Sequence, residues 1–367
     1  MAEILRMRNP IQHYAWGSRE VLARLQGRAV PSPEPEAELW VGAHPGAPSV
    51  LLRDGRDEPL EDLPFLLKIL AIDAPLSIQV HPSPAQAVAG YEREQRAGIP
   101  LDDPRRNYKD PSAKPETVVA LTGVELLTGV QPADRLRSTA ERLGLDWLRA
   151  VADGGRPVLP EVLTLDDDDA GAAVAATVAA ARTAATDDPV AALVRHVHDR
   201  HPGDRGLLVA LCMHHVFLAP GQSLHTPAGQ LHAYLCGTAI EVMSSSDNVL
   251  RAGLTGKHVD VPELLAVLAD EQAAPDVVDP PADEHGRRSY PLWDERLSLS
   301  AHELGPGRTV PVELRGTTVL LGTGDRALVR AAGREWELGG GESLLHRGGP
   351  SAVELSGAGR VFTVSCR

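Results

Sequence analysis

Pro220-Gly221-Gln222-Ser223-Leu224-His225-Thr226-Pro227-Ala228-Gly229-Gln230-Leu231-His232-Ala233-Tyr234 is the stretch that decides how this chain reads. Pro220-Gly221 and Pro227-Ala228-Gly229 are turn sequences. Between them the side chains roughly alternate, which predicts a strand with one buried face. The second turn delivers His232 into the start of the next strand. A β-barrel can aim one imidazole into its mouth in this way. A single histidine cannot hold a metal, so its partners must lie elsewhere in the chain.

Two segments offer them. A strand places residues i and i+2 on one face. Gln79 and His81 have that spacing in a strand-like run closed by Pro82. Gln is an uncommon zinc ligand, and the adjacent His strengthens it. Lys114 and Glu116 have the same spacing around Pro115, just before the apolar run Thr117-Val118-Val119-Ala120-Leu121. Aimed into a barrel, such a pair is costly to bury unless paired or coordinated. On a solvated edge it would be an ion pair of little energetic weight. Spacing alone leaves both readings open. Beyond His232, Glu241, Asp247, Arg251 and Lys257 form a charged series interrupted by Ser and Gly residues. Arg251 and Lys257 near Ser and Thr hydroxyls suit a phosphate or sugar phosphate, and equally a solvated loop. No Walker or GxGxxG pattern is present.

Composition bounds the class. A chain of 367 residues has room for two or three domains. Its hydrophobic fraction of 43% and charged fraction of 23% are those of a soluble globular protein. A net charge of -14 argues against general binding to nucleic acid or anionic membranes, though not against an anionic substrate in a local basic pocket. No run approaches a membrane span, and Met1-Ala2-Glu3-Ile4-Leu5-Arg6 does not open a signal peptide. Cys212, Cys236 and Cys366 lack metal or redox spacing and suit a reducing cytosol. A cytoplasmic monomer is expected. Of the 36 basic residues only Lys68, Lys109, Lys114 and Lys257 are lysines. Lysine is expected to survive where a compact ammonium is needed.

Composition shifts suggest the organisation. Residues 1–122 alternate strand-like runs with Pro, Gly and Asp turns, with helices predicted over 18–25 and 83–94. Residues 123–206 read as a helical insertion, with helices over 133–150, after the acidic run Asp166 to Asp169, and over 187–201. That acidic run reads as a solvated helix start. From Leu207 strands are expected to resume, followed by a short helix at 261–269. A linker covers 270–286. Residues 287–367 hold many short strands separated by Gly turns, as in a second small β-barrel or sandwich. The domains expected are 1–122 with 207–272, 123–206, and 273–367, in a mainly β fold.

Several motifs together carry a specific resemblance. The spacing from Gly221 through Pro227 and Gly229 to His232 is similar to the second half of the cupin barrel signature. Five segments in order resemble type I phosphomannose isomerases: Gln12-His13-Tyr14-Ala15-Trp16-Gly17-Ser18; Pro64-Phe65-Leu66-Leu67-Lys68-Ile69-Leu70; Leu76-Ser77-Ile78-Gln79-Val80-His81-Pro82; Asn107-Tyr108-Lys109-Asp110 with Lys114-Pro115-Glu116; and Pro227-Ala228-Gly229 through Lys257. All four lysines lie inside them. The resemblance implies a cupin (jelly-roll) catalytic domain, a helical domain and a C-terminal cupin-like domain. It implies one zinc ion held by Gln79, His81, Glu116 and His232. The family's catalytic arginine falls on Arg251. Its other polar site residues fall on Trp16, Ser77, Lys114, Tyr234, Glu241, Asp247 and Lys257, with Ser77 and Lys257 near the phosphate. Lys68 is expected to support structure. His285, His302 and His346 make no second ligand set, so the C-terminal domain is expected to be without metal.

The implied activity interconverts D-mannose 6-phosphate and D-fructose 6-phosphate through an enediol or enediolate. A Lewis acid and a cation beside the C1 and C2 oxygens would lower the barrier. Glu241, Asp247 or Lys114 would take part in the proton transfer, and sequence does not choose among them. Three rivals are weighed. A non-catalytic cupin that only binds a sugar phosphate predicts loss of a ligand or of Arg251, and neither is lost. A cupin dioxygenase or metal-dependent epimerase is the second; a dioxygenase would favour a two-His-one-carboxylate or all-histidine site for redox iron, and the Gln-containing set argues against it. The same fold acting on an unphosphorylated aldose is disfavoured by the presence of Ser77 and Lys257.

Overall fold

The computed structural model describes residues 3–53 and 55–367. Its centre is the strand Leu66–Ile72, Leu-Leu-Lys-Ile-Leu-Ala-Ile, buried along its whole length. Such a run suits a position between two other strands. Glu38–Val41 pairs on one side and His232–Met243 on the other, both antiparallel. The sheet continues through Glu116–Ala120 and Ser223–Thr226 to Val277–Val278.

His232–Met243 is long because it serves two strand layers. Its first residues pair with Val124–Val130 and Ile78–Val80. From Gly237 onward it pairs with Leu66–Ile72 and Glu116–Ala120. The register shifts between Tyr234 and Cys236, a bulge that turns the strand. Gly237 completes the change at φ 115°, where a Cβ would lie 2.4 Å from the Gly123 carbonyl oxygen. This corner sets His232 opposite Gln79.

Residues 133–212 form six helices. Ser83 caps the earlier helix Pro84–Arg96 with a full capping box. The helix expected over 133–150 is two, Ala133–Leu143 and Asp146–Asp153, divided at Gly144. Asp166 caps Asp167–Thr183 and the acidic run fills its first turn, as a helix dipole favours. One correction follows at Gly206–Cys212. Strands were expected from Leu207, but this all-buried segment is helical, and the strand Met213–Leu218 comes after it. Its continuous apolar run has no period that separates a buried strand from a buried helix. The helical core, with Leu136, Leu148, Val174, Val194 and Leu208, is continuous with Ile78, Val80, Ala233 and Leu250. The helices therefore pack behind the strands that carry Gln79 and His232.

A second sheet holds the C-terminal strands, among them Leu297–Leu304, Val310–Gly322, Ser343–Gly357 and Gly359–Cys366. Glu3–Arg8 joins it by pairing with Ser343–Gly357, and Val50–Arg53 follows. The N-terminal segment thus contributes to both sheets. Leu67, Ile69, Val119 and Ile240 share one core with Leu299, Val319, Leu345 and Phe362. Within the second sheet, His302 and His346 are buried against the Thr363 and Ser351 hydroxyls. No helix among the described residues is long and apolar enough to cross a membrane.

Candidate active site

A cavity of about 830 Å³ opens where the two strand layers of the first sheet meet. Trp16, Ser77, Gln79, Lys114, Glu116, Tyr234, Glu241, Asp247, Arg251 and Lys257 all line it. His81 and His232 are buried against Glu116 at its floor. All twelve residues singled out from sequence are therefore gathered in one place, although the chain separates Trp16 from Lys257 by most of the first sheet and the helices.

The floor is built from strand ends. Glu116 opens its strand and lies in register with Thr226 and Met243. Gln79 stands between His232 and Arg251 in register. The ring of His232 points its Nδ1 at the Gln230 carbonyl, 3.0 Å away, and that of His81 points its Nδ1 at the Asn248 carbonyl, 2.7 Å away. A carbonyl only accepts, so each Nδ1 carries the proton and each Nε2 presents a lone pair. Those two nitrogens lie 3.3 Å and 3.2 Å from the two oxygens of Glu116. His232 Nε2 and Glu116 Oε2 are buried and neither has a hydrogen-bond partner. The three donor atoms fall within 4.8 Å of one another. Lone pairs converging on a buried carboxylate repel unless a cation lies among them. Imidazoles whose far nitrogen is fixed by a carbonyl are the usual support of a metal site. The donor set therefore fits a divalent metal.

Charge balance agrees. Glu38, Glu116, Glu241, Lys68 and Lys114 are all buried. Three carboxylates face two ammoniums, so one buried negative charge is left uncompensated within the group, which a divalent cation would offset. Lys114 Nζ lies 2.6 Å from Glu116 Oε1 and 3.4 Å from His81 Nε2. Burial, reinforced by Lys114, pushes His81 down to about 4, which keeps its imidazole neutral as a ligand must be. Burial alone would raise Glu116, but the opposing charge of Lys114 holds the carboxyl well below its ordinary range. Glu241 is raised, chiefly by burial and by Glu116, against the opposing charges of Lys68 and Lys114. The buried hydroxyl of Tyr234 has no hydrogen-bond partner, and burial followed by Glu241 pushes its pKa well up. Burial lowers Arg251, and burial together with Arg251 and Lys109 lowers Lys257, as expected of a cationic patch at a cavity wall.

This geometry has counterparts. A family model for the catalytic domain of type I phosphomannose isomerase matches residues 4–133. The mannose-6-phosphate isomerase of Escherichia coli (strain K12) is 32% identical over an alignment spanning 97% of this chain and 98% of its own. The chain belongs to the mannose-6-phosphate isomerase family. The relative from Homo sapiens is 27% identical across 71% of each chain. Among solved structures, the mannose 6-phosphate isomerase from Salmonella typhimurium bound to its substrate and to zinc matches with a TM-score of 0.89. It is 30% identical, and 99% of each chain is covered. The mainly β fold of this chain is thus the fold of the mannose-6-phosphate isomerase family.

The structure adds cavity residues that the sequence reading missed. Lys68 was expected only to support structure. Its Nζ lies 3.1 Å from Glu241 and 3.3 Å from Glu38, and it lines the cavity. A lysine inside an otherwise apolar run was the available signal, since it must find buried partners. Trp40 donates its indole N–H to Glu38. Arg200 and His201, at the end of the helix Pro189–Arg200, reach the cavity from the helical block. No local pattern marks that approach.

Proposed function

We propose that this chain interconverts D-mannose 6-phosphate and D-fructose 6-phosphate by moving a proton between C1 and C2. The observation that carries the proposal is the convergence of the His81 and His232 lone pairs on Glu116, at the floor of a cavity walled by Arg251, Lys257 and Glu241. Gln79, His81, Glu116 and His232 would hold zinc, which when bound supplies a Lewis acid for charge developing on the C1 and C2 oxygens. Arg251 places a guanidinium beside that charge. Glu241 is a buried carboxyl with a raised pKa, held in place by Lys68, and is suited to take and return the proton. Lys114 and Asp247 complete the polar wall. Ser77 and Lys257 bind the phosphate, and Trp16 and Tyr234 orient the sugar. Phosphate binding at a distance from the reacting carbons helps align them.

We also infer a division into 1–122 with 207–272, 123–206, and 273–367, with Val124–Val130 pairing into the first sheet, Gly206–Cys212 packing in the helical core, and the first part lending strands to the C-terminal sheet. A monomer free in the cytoplasm accords with the net charge of -14 and three unpaired cysteines. A coupled assay of purified protein with mannose 6-phosphate, glucose 6-phosphate and free mannose, with and without chelator, tests the activity. Turnover of mannose 6-phosphate alone, abolished by chelator and restored by zinc, is the expected result. Equal turnover of free mannose would overturn the assignment of the phosphate residues.

A further inference from the structure

The turn that precedes His232 is gripped from outside by a segment belonging to the linker. The side chain of Gln272 spans it: Nε2 donates to the Gly229 carbonyl at 2.7 Å, and Oε1 accepts from the Leu231 N–H at 2.8 Å. Gln230 answers in the other direction, donating to the Ala273 carbonyl at 2.9 Å and accepting from the Ala273 N–H at 3.0 Å. Ala269 adds an N–H bond to the Gly229 carbonyl at 3.1 Å. The same turn touches both histidines on its inner side. The Gly229 N–H donates to the His81 carbonyl at 2.8 Å, and the Gln230 carbonyl accepts the Nδ1 proton of His232 at 3.0 Å.

We propose that residues 269–273 act as a strap that sets the spacing and ring orientation of His81 and His232, with Gln272 as the positioning residue for the metal site. The proposal rests on the zinc reading above. Physically, three residues of turn lie between the strap and the two imidazoles. Loss of the Gln272 bonds frees the Gly229 carbonyl and the Leu231 N–H and lets that turn relax. The lone pairs of His81 and His232 then no longer meet Glu116 in one preset geometry, and metal binding must reorder them. Groups that orient metal ligands typically change affinity about 10- to 100-fold when removed. Beyond the strap the linker stays against the first sheet, where Val277–Val278 pairs with Ser223-Leu224.

The test is the zinc dissociation constant of the full chain, measured by competition with a chromophoric chelator, together with thermal unfolding of the metal-free form. Gln272→Ala is expected to weaken zinc binding about 10-fold or more, and Gln272→Glu, whose carboxylate oxygen would face the Gly229 carbonyl in place of an N–H, at least as much. Gln222→Ala is the control. Gln222 also reaches the linker, at Asp279, but lies far along the strand from the turn, and its zinc affinity should match wild type. Unchanged zinc affinity in Gln272→Ala overturns the strap, including the case in which only the metal-free melting temperature falls. A wild-type chain that binds no zinc overturns the metal reading itself, a result distinct from equal and tight binding by wild type and variant.

Discussion

His44 Nε2 lies 3.2 Å from Asp247 Oδ1, joining a buried imidazole to a carboxylate at the cavity mouth. The His44 Nδ1 accepts the Gly46 N–H at 3.2 Å, so the proton sits on Nε2 and is donated to Asp247. His44 also packs edge-on against Trp40, with ring centroids 4.8 Å apart. Trp40 in turn bonds Glu38, which pairs with Lys68 and through it with Glu241. A chain of contacts therefore runs from Asp247 to Glu241, polar at every step except the ring packing of His44 on Trp40.

The first prediction concerns Asp247. The His44 hydrogen bond holds its carboxyl below the ordinary range, against the opposing effect of burial. A depressed carboxyl stabilises the fold above its unfolded pKa of about 3.9, and that contribution is lost as pH falls through the folded value. His44→Ala should move the Asp247 titration upward, seen directly by carboxyl NMR. The acidic limb of kcat/KM should move upward with it. His44→Gln, which retains a donor, should recover part of the shift. An NMR shift without movement of the limb would remove Asp247 ionisation from the rate.

A second prediction concerns Lys68. Burial alone would lower its pKa, but Glu38 and Glu241 outweigh burial and raise it, so it stays charged throughout the neutral range. Its stabilising contribution is fully present below the unfolded lysine pKa of about 10.4 and fades only as pH rises through the folded value. Lys68→Met leaves both carboxylates buried without their cation. Breaking a buried pair in this way costs about 3–5 kcal/mol. The loss should be largest at pH 8 and shrink towards pH 5, as Glu241, whose pKa is raised, takes up a proton. Urea unfolding across that range checks this; a loss independent of pH would mean that packing of the alkyl chain, not charge, is what Lys68 supplies.

The ease of reading Gln79 and His81, and the difficulty of reading Lys68, have one cause. Gln79 with His81, and Lys114 with Glu116, announce themselves by i, i+2 spacing beside Pro turns, and His232 by the turn before it. Lys68 meets Glu241 through strand register between segments 173 residues apart, and register is not a local property of either segment. His44 and Asp247 meet in the same non-local way. The helix Gly206–Cys212 escaped because a short run buried on all sides carries no period. The Gln272 strap lies in a Pro- and Asp-rich linker, where composition indicates only a connection.

A third prediction separates metal binding from turnover. Glu116→Ala or His232→Ala should purify without zinc and without activity. Arg251→Ala should retain zinc while kcat falls about 100-fold or more, the range seen when one group facing developing charge is removed. Near-normal zinc content in either ligand variant would sink the ligand assignment. Zinc should also raise the melting temperature of the wild-type chain, because it binds only the folded site.

The last prediction tests how tightly the Trp16 turn is held. Gly17 is buried and bridges to Ile72, and its neighbour Ser18 bridges to Glu36. The Trp16 carbonyl accepts the N–H groups of Asp73 and Ala74 at 3.0 Å and 3.2 Å. A Cβ on Gly17 would lie 2.5 Å from the Ala37 nitrogen, 2.6 Å from its Cα and 2.7 Å from the Glu36 carbonyl carbon. All three are backbone atoms, so no side chain can swing aside. Gly17→Ala must displace either the chain at Glu36–Ala37 or the turn that aims Trp16 into the cavity. Overpacking of this kind costs about 1–3 kcal/mol. A raised KM with kcat largely retained should accompany the loss if the Trp16 turn yields. Gly171→Ala is the matched control: it sits exposed in the helix Asp167–Thr183 with open space around its Cβ, and should be neutral or stabilising by up to about 1 kcal/mol. Equal melting temperatures for Gly17→Ala and wild type would show that the turn can move aside at no cost.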